Sequence, residues 1–132
     1  MIASADILKS DATTISFLSP DEYEGINIKS DKTSKPDIIS FEYLGIPAEI
    51  PKSIFSEFSL IFTLFSDEVP NIIESLPKDS FRTDGDMGEV FFLKDNISLR
   101  IVYYLDSGIP KSFEAGNDEI SISLIPKNIK YT

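Results

Sequence analysis

The sequence predicts an α+β domain: an antiparallel β-sheet of about five or six strands with one or two short helices packed on it. Three observations carry this expectation. Two apolar runs, "EVFFLK" and "ISLRIVYY", flank Asp95-Asn96 as the arms of a hairpin. Several other segments alternate apolar and polar residues with the period of two that a half-buried strand requires. One stretch, "SDEVPNIIESLP", carries the start and stop signals of a short helix. With 132 residues, 42% of them hydrophobic and 11% aromatic, the chain reads as one domain over residues 1–132 that buries its own core.

The first strand expected is Thr13 to Ser19, where Ile15 and Phe17 alternate with Ser16 and Leu18. It runs into "SPDEYEG", which predicts a short helix: Ser19 as its cap, Pro20 in the first turn, Asp21 and Glu22 on the positive end of the dipole and Gly25 as its stop. A short strand, "INIKS", follows. The polar stretch Lys29 to Asp37 reads as a loop, and Asp37 to Gly45 as a strand with Ile39, Phe41 and Tyr43 on one face.

Pro51 to Phe65 fits two periods. Ile54, Phe55, Phe58, Ile61, Phe62 and Phe65 match a helix, whereas Phe58, Leu60, Phe62 and Leu64 match a strand. Its richness in Phe, Ile and Thr favours a strand from about Phe58 to Phe65. The helix expected next has Ser66 as cap, Asp67 and Glu68 in its first turn, and Val69, Ile72, Ile73 and Leu76 on one face.

The hairpin register pairs Lys94 with Ile97, Phe92 with Leu99 and Val90 with Ile101. Val90, Phe92, Leu99, Ile101 and Tyr103 then share one face; Phe91, Leu93, Ser98, Arg100, Val102 and Tyr104 share the other. Both faces are largely apolar, which predicts a central hairpin covered on both sides. After a loop, "DSGIPKSFEAGND", the segment "EISISLIP" reads as a half-exposed edge strand closed off by Pro126.

Composition excludes several chemistries. The chain has no histidine and no cysteine, which removes Ser-His-Asp and Cys-His catalysis, ordinary zinc sites and disulfides. No glycine-rich phosphate loop is present, so no nucleotide cofactor is expected. The net charge is −10 and the 12 Lys and Arg are dispersed, so direct nucleic-acid binding is not expected. No apolar run approaches the roughly 20 residues of a membrane-spanning helix, and no secretory leader is visible, so a soluble, cytoplasmic chain without membrane partners is expected.

The acidic stretch "TDGDMGE", Thr83 to Glu89, is the most conspicuous candidate site. Asp84 and Asp86 match the first and third positions of a calcium-binding EF-hand loop, but Gly88 and Glu89 break the fifth and sixth and no helix follows, so no metal site is assigned. The glycines and Asp84-Gly85 suit a solvated turn before the hairpin. Carboxylate pairs such as Glu22 with Glu24 or Glu42 with Glu49 offer the groups of a glycosidase, but among 22 acidic residues such pairs carry no specificity, and the chain is read as non-enzymatic.

What remains is surface charge. A domain of this size at −10 attracts a basic partner, and the residues expected to meet it are Asp84, Asp86, Glu89, Asp67, Glu68 and Tyr104. Tyrosine is included because its ring and hydroxyl suit an interface. The function expected is a small acidic inhibitor or immunity-type module that covers the substrate surface of a basic protein such as a toxin nuclease. Two other readings stand beside it: an adaptor or homo-oligomer whose second apolar face is completed by another subunit, and a small carboxylate hydrolase.

Overall fold

The structure is a computed structural model that describes residues 2–10, 12–31, 35–51, 56–66 and 68–131. Five strands come first: β1 (Ile2–Lys9), β2 (Ala12–Ser19), β3 (Ile26–Asp31), β4 (Lys35–Tyr43) and β5 (Ile46–Pro51). Two helices follow, α1 (Ser56–Leu64) and α2 (Val69–Glu74), then a 3₁₀ turn over Lys78–Ser80. Five more strands complete the chain order: β6 (Phe81–Asp84), β7 (Met87–Lys94), β8 (Ile97–Tyr104), β9 (Pro110–Gly116) and β10 (Ser121–Tyr131).

All ten strands form one sheet in the order β5-β4-β3-β2-β1-β10-β9-β8-β7-β6. Each group of five is an antiparallel meander, and the two meanders meet where β1 pairs with β10 in parallel. The expected α+β arrangement of five or six strands is therefore wrong: this is a mixed, nearly all-sheet fold with two small helices on one face. The reason is visible strand by strand. β1 is rich in Ala and Ser, β5 contains two prolines, β6 has only four residues and β9 carries few apolar residues, so none shows the alternating apolar pattern that marks a strand from sequence.

The covered face is built by alternate residues of successive strands. Ala5, Ile7, Ile15, Phe17, Ile28 and Ile39 supply it in the first meander; Val90, Phe92, Leu99, Phe113, Ile122 and Leu124 supply it in the second. Above them lie Leu60, Ile61, Phe62, Leu64 and Phe65, all buried, with α1 packed on β9 and β10. The strand expected over Phe58 to Phe65 is thus a helix from Ser56 to Leu64. A helix buried on nearly every described side uses the same large apolar residues as a strand, so composition pointed the wrong way.

The short helix expected at Ser19 to Gly25 is instead a turn in which the N–H groups of Tyr23 and Glu24 donate to the Pro20 carbonyl. Ser19 does not cap it; its hydroxyl accepts the Ser4 N–H at 3.1 Å and lies 2.6 Å from the Ser4 hydroxyl, tying β2 to β1. The later helix is present as α2 but begins at Val69 with Glu68 at its N-cap, and Ser66 accepts the Glu68 N–H from two residues upstream at 3.3 Å.

The β7–β8 hairpin has the expected register, with Lys94 opposite Ile97, Phe92 opposite Leu99 and Val90 opposite Ile101. Asp95 and Asn96 both take positive φ, 52° and 65°, the conformation a two-residue hairpin turn needs. The hairpin is neither central nor covered twice: β6 lies beyond it, and Phe91 and Leu93 on its outer face are 48% and 65% exposed. Gly88 is a glycine for steric reasons, since a Cβ there would overlap the Tyr103 ring opposite.

The expected edge strand is also corrected. Ser121–Tyr131 is an inner strand, paired with β1 on one side and, over Ser121 to Leu124, with β9 on the other. Pro126 is tolerated because the pairing of this strand with β9 ends at Leu124 and the β1 register slips between Ala5 and Asp6, opposite Pro126 and Asn128. Among the described residues no helix is long and apolar enough to cross a membrane.

Candidate functional site

Because side chains alternate across the sheet, the face opposite the helices can be read in rows. Asp84, Met87 and Tyr104 stand side by side across β6, β7 and β8; Arg82, Glu89, Val102 and Ser112 form the next row; Phe91, Arg100, Glu114 and Ser123 the third. Exposed apolar side chains on this outer face include two groups among the described residues. Phe91, Leu93 and Tyr104 lie on the β7–β8 hairpin, and Ile2, Leu8 and Ile125 lie along the β1–β10 seam.

Charged groups link the rows. Arg100 donates through Nη2 to Glu89 Oε2 at 2.7 Å and through Nη1 to Glu114 Oε2 at 2.5 Å, while the Ser123 hydroxyl donates to Glu114 Oε1 at 3.2 Å. The network crosses four strands, β7 to β10. The hydrogen bond from Arg100 holds the Glu89 carboxyl below the usual carboxylate range, helped by the charges of Arg100 and Arg82 against a smaller effect of burial. The two carboxylates in turn raise the Arg100 guanidinium further above its already high value.

This coupling gives a pH signature. A depressed folded-state pKa contributes stability that is complete above the unfolded Glu value and is lost as pH falls through the folded value. The pair is partly exposed, so the contribution is under about 1 kcal/mol. Between pH 6 and pH 3 the urea midpoint of the wild type should fall further than that of Glu89→Gln; parallel curves would show that the pair contributes nothing.

The sequence-predicted residues separate into two places. Asp84, Asp86, Glu89 and Tyr104 gather at one end of the β6–β8 outer face, with Gly85 and Asp86 forming the two-residue turn between β6 and β7. Glu89 lies on β7, which begins two residues before the expected hairpin arm, and its carboxylate is engaged by Arg100. Glu68 lies elsewhere, bound through Oε2 to Lys94 Nζ at 3.4 Å. Lys94 is at the opposite end of β7 from Met87, about 23 Å away at the rise of a strand. Its hydrogen bond to Asp95, then the charges of Asp95 and Glu68, raise its pKa. Asp67 lies outside the described residues.

The other carboxylate pairs are placed apart from this group. Glu22 and Glu24 are exposed in the β2–β3 turn, and Glu42 and Glu49 are exposed on β4 and β5. Among the described residues no three Asp or Glu side chains converge to hold a metal ion. Two features carried no sequence signal. Glu114 is the second acceptor for Arg100, and a depression of about 410 Å³ lies at the seam beside Asp6 and Asn128, whose side chains are hydrogen-bonded at 2.9 Å. Both depend on strand neighbours far apart in the chain, which local patterns do not reveal. Compared with known proteins, the chain matches no protein-family model, no curated protein and no solved structure.

Proposed function

We propose that this protein is an acidic protein-binding module whose outer sheet face around β6, β7 and β8 docks a basic partner. The observation that carries the reading is the row Asp84, Met87 and Tyr104, with Asp86 in the adjoining turn and Phe91 and Leu93 exposed on the same hairpin. Carboxylates around exposed apolar side chains supply long-range attraction and short-range burial together. An inhibitor of immunity type, covering the substrate surface of a toxin nuclease, is the form that the net charge of −10 favours, because a surface made to hold phosphates is basic.

The test is affinity capture from the native host with the wild type and with Asp84→Lys/Asp86→Lys. The wild type should retain a basic protein whose association weakens with salt, and the double reversal should slow association about tenfold or more at low ionic strength. Capture of no basic protein, or equal binding by the variant, would sink the reading. The exposure of Phe91 and Leu93 favours a second reading, an adaptor completed by another subunit. Native mass spectra containing only monomer at high concentration would remove its homo-oligomeric form.

A further inference from the structure

The two edges of the sheet differ in a way that singles out β6. In the β4–β5 hairpin the turn is Leu44-Gly45, so the closing pair is Tyr43 with Ile46 and the inward-bonding residues of β5 are Ile46, Ala48 and Ile50. The outward positions are then 47, 49 and 51, and two of these are proline, without an N–H to offer. That edge is blunted against further pairing.

The same reasoning applied to β6 gives the opposite result. Its turn is Gly85-Asp86, the closing pair is Asp84 with Met87, and the inward-bonding residues are Arg82 and Asp84. The phase is corroborated on the far side of β7, where the Leu105 N–H donates to the Asp86 carbonyl at 2.9 Å, so the even-numbered positions there bond toward β8. Phe81 and Thr83 therefore direct their backbone groups away from the sheet. The Phe81 N–H is used by the Lys78 carbonyl. Among the described residues the Thr83 N–H and the carbonyls of Phe81 and Thr83 have no strand beside them. All four residues of β6 are exposed, and none is proline.

We propose that β6 is a pairing edge that takes up an extended, lysine- or arginine-rich segment of a partner protein as an added strand. The proposal rests on the reading of the β6–β8 region as a surface for a basic partner, and adds how the partner is held. Asp79, Asp84 and Asp86 are exposed around the edge, whereas β6 itself carries the single cation Arg82, which stands opposite Glu89. Two depressions lie beside it. One of about 370 Å³ is lined by Asp79, Arg82, Glu89 and Phe91, and one of about 400 Å³ by Arg82, Asp84, Met87, Glu89 and Arg100. Glu89 is already held by Arg100 and Arg82 forms part of both walls, so the carboxylate open to the charged head of a long basic side chain is Asp79 in the first and Asp84 in the second, with Phe91 or Met87 beside its aliphatic stem.

A second copy of this chain fits less well. Symmetric antiparallel pairing through Phe81 and Thr83 would set Arg82 against Arg82 and bring together two chains of net charge −10.

The probe is a capped peptide of alternating lysine and valine, roughly eight residues long. Its control is the same peptide N-methylated at alternate residues, which keeps the charge and loses the strand donors. The plain peptide should bind and slow hydrogen exchange at the Thr83 amide, leaving the already bonded Phe81 amide unchanged. The methylated peptide should bind about tenfold more weakly or worse. Thr83→Pro, which removes the outward N–H that would donate to a peptide carbonyl, should weaken binding of the plain peptide while amide protection in β7 and β8 persists.

Equal binding of both peptides to the wild type would overturn edge pairing and leave the basic-partner reading standing. Failure of both to bind at low salt would overturn both proposals. Protection of Thr83 that rises with protein concentration in the absence of peptide would identify a second copy as the occupant and overturn this one.

Discussion

Phe113→Ala should lower the free energy of unfolding by about 3–5 kcal/mol. Phe113 is buried on β9, in register with Leu124 on one side and Ile101 on the other. Its ring meets that of Phe65, just beyond α1, with centroids 5.0 Å apart and planes inclined at 59°. Truncation removes the ring's burial and leaves a cavity beneath the helix, which a ten-stranded sheet cannot close by local collapse. Part of the loss belongs to the ring pair. A double-mutant cycle with Phe65→Ala should show coupling of about 0.5–1.5 kcal/mol. Urea denaturation measures both, and a loss under about 1 kcal/mol for Phe113→Ala would mean that α1 is not docked on β9 as described.

Leu124→Ala should cost about 2–5 kcal/mol, and its effect should reach both meanders. Leu124 is fully buried on β10, between Phe113 of β9 and Ala3 of β1. The β1–β10 ladder is the contact through which the first five strands join the last five. If the sheet unfolds as one unit, the slowest-exchanging amides of both halves exchange only through global unfolding. Hydrogen exchange at Ile15 and Ile28 in the first meander and at Leu99 in the second should then accelerate by one common factor of about 30 or more. Acceleration confined to the second meander would show two separately stable halves.

How much was legible in the sequence depended on how local the determining interactions are. The β7–β8 hairpin was read to the residue because Asp95-Asn96 fixes the turn and the period of two then fixes every pair. The β2 strand was legible for the same reason. What failed needed tertiary context: the described side chains of α1 are apolar nearly all round because they are buried against the sheet, and β1 pairs Ala5 with strands on both sides and Ala3 with β10, where small residues suffice. At the candidate site, Asp84, Asp86, Glu89 and Tyr104 were legible as charge and ring, and their gathering on one end of a face follows from register. Arg100 as the organiser of Glu89 and Glu114 was not legible, because that network joins residues of separate strands across the sheet.

The parallel seam also dictates an order of events during synthesis. Ala5 and Pro126 are register partners about 120 residues apart along the chain. β1 leaves the ribosome with β2 soon beside it, but its other edge stays open until every other strand has been made. Contacts of such sequence separation close slowly, because the entropy of a long loop is lost before the pairing can form. The nascent first meander therefore keeps an aggregation-competent margin, at what becomes the middle of the finished sheet, until β10 has been made. Its protection in that interval falls to the residues β1 shows there, where alanine and serine between Ile2 and Asp6 make a weaker template than the isoleucine-rich strands that follow.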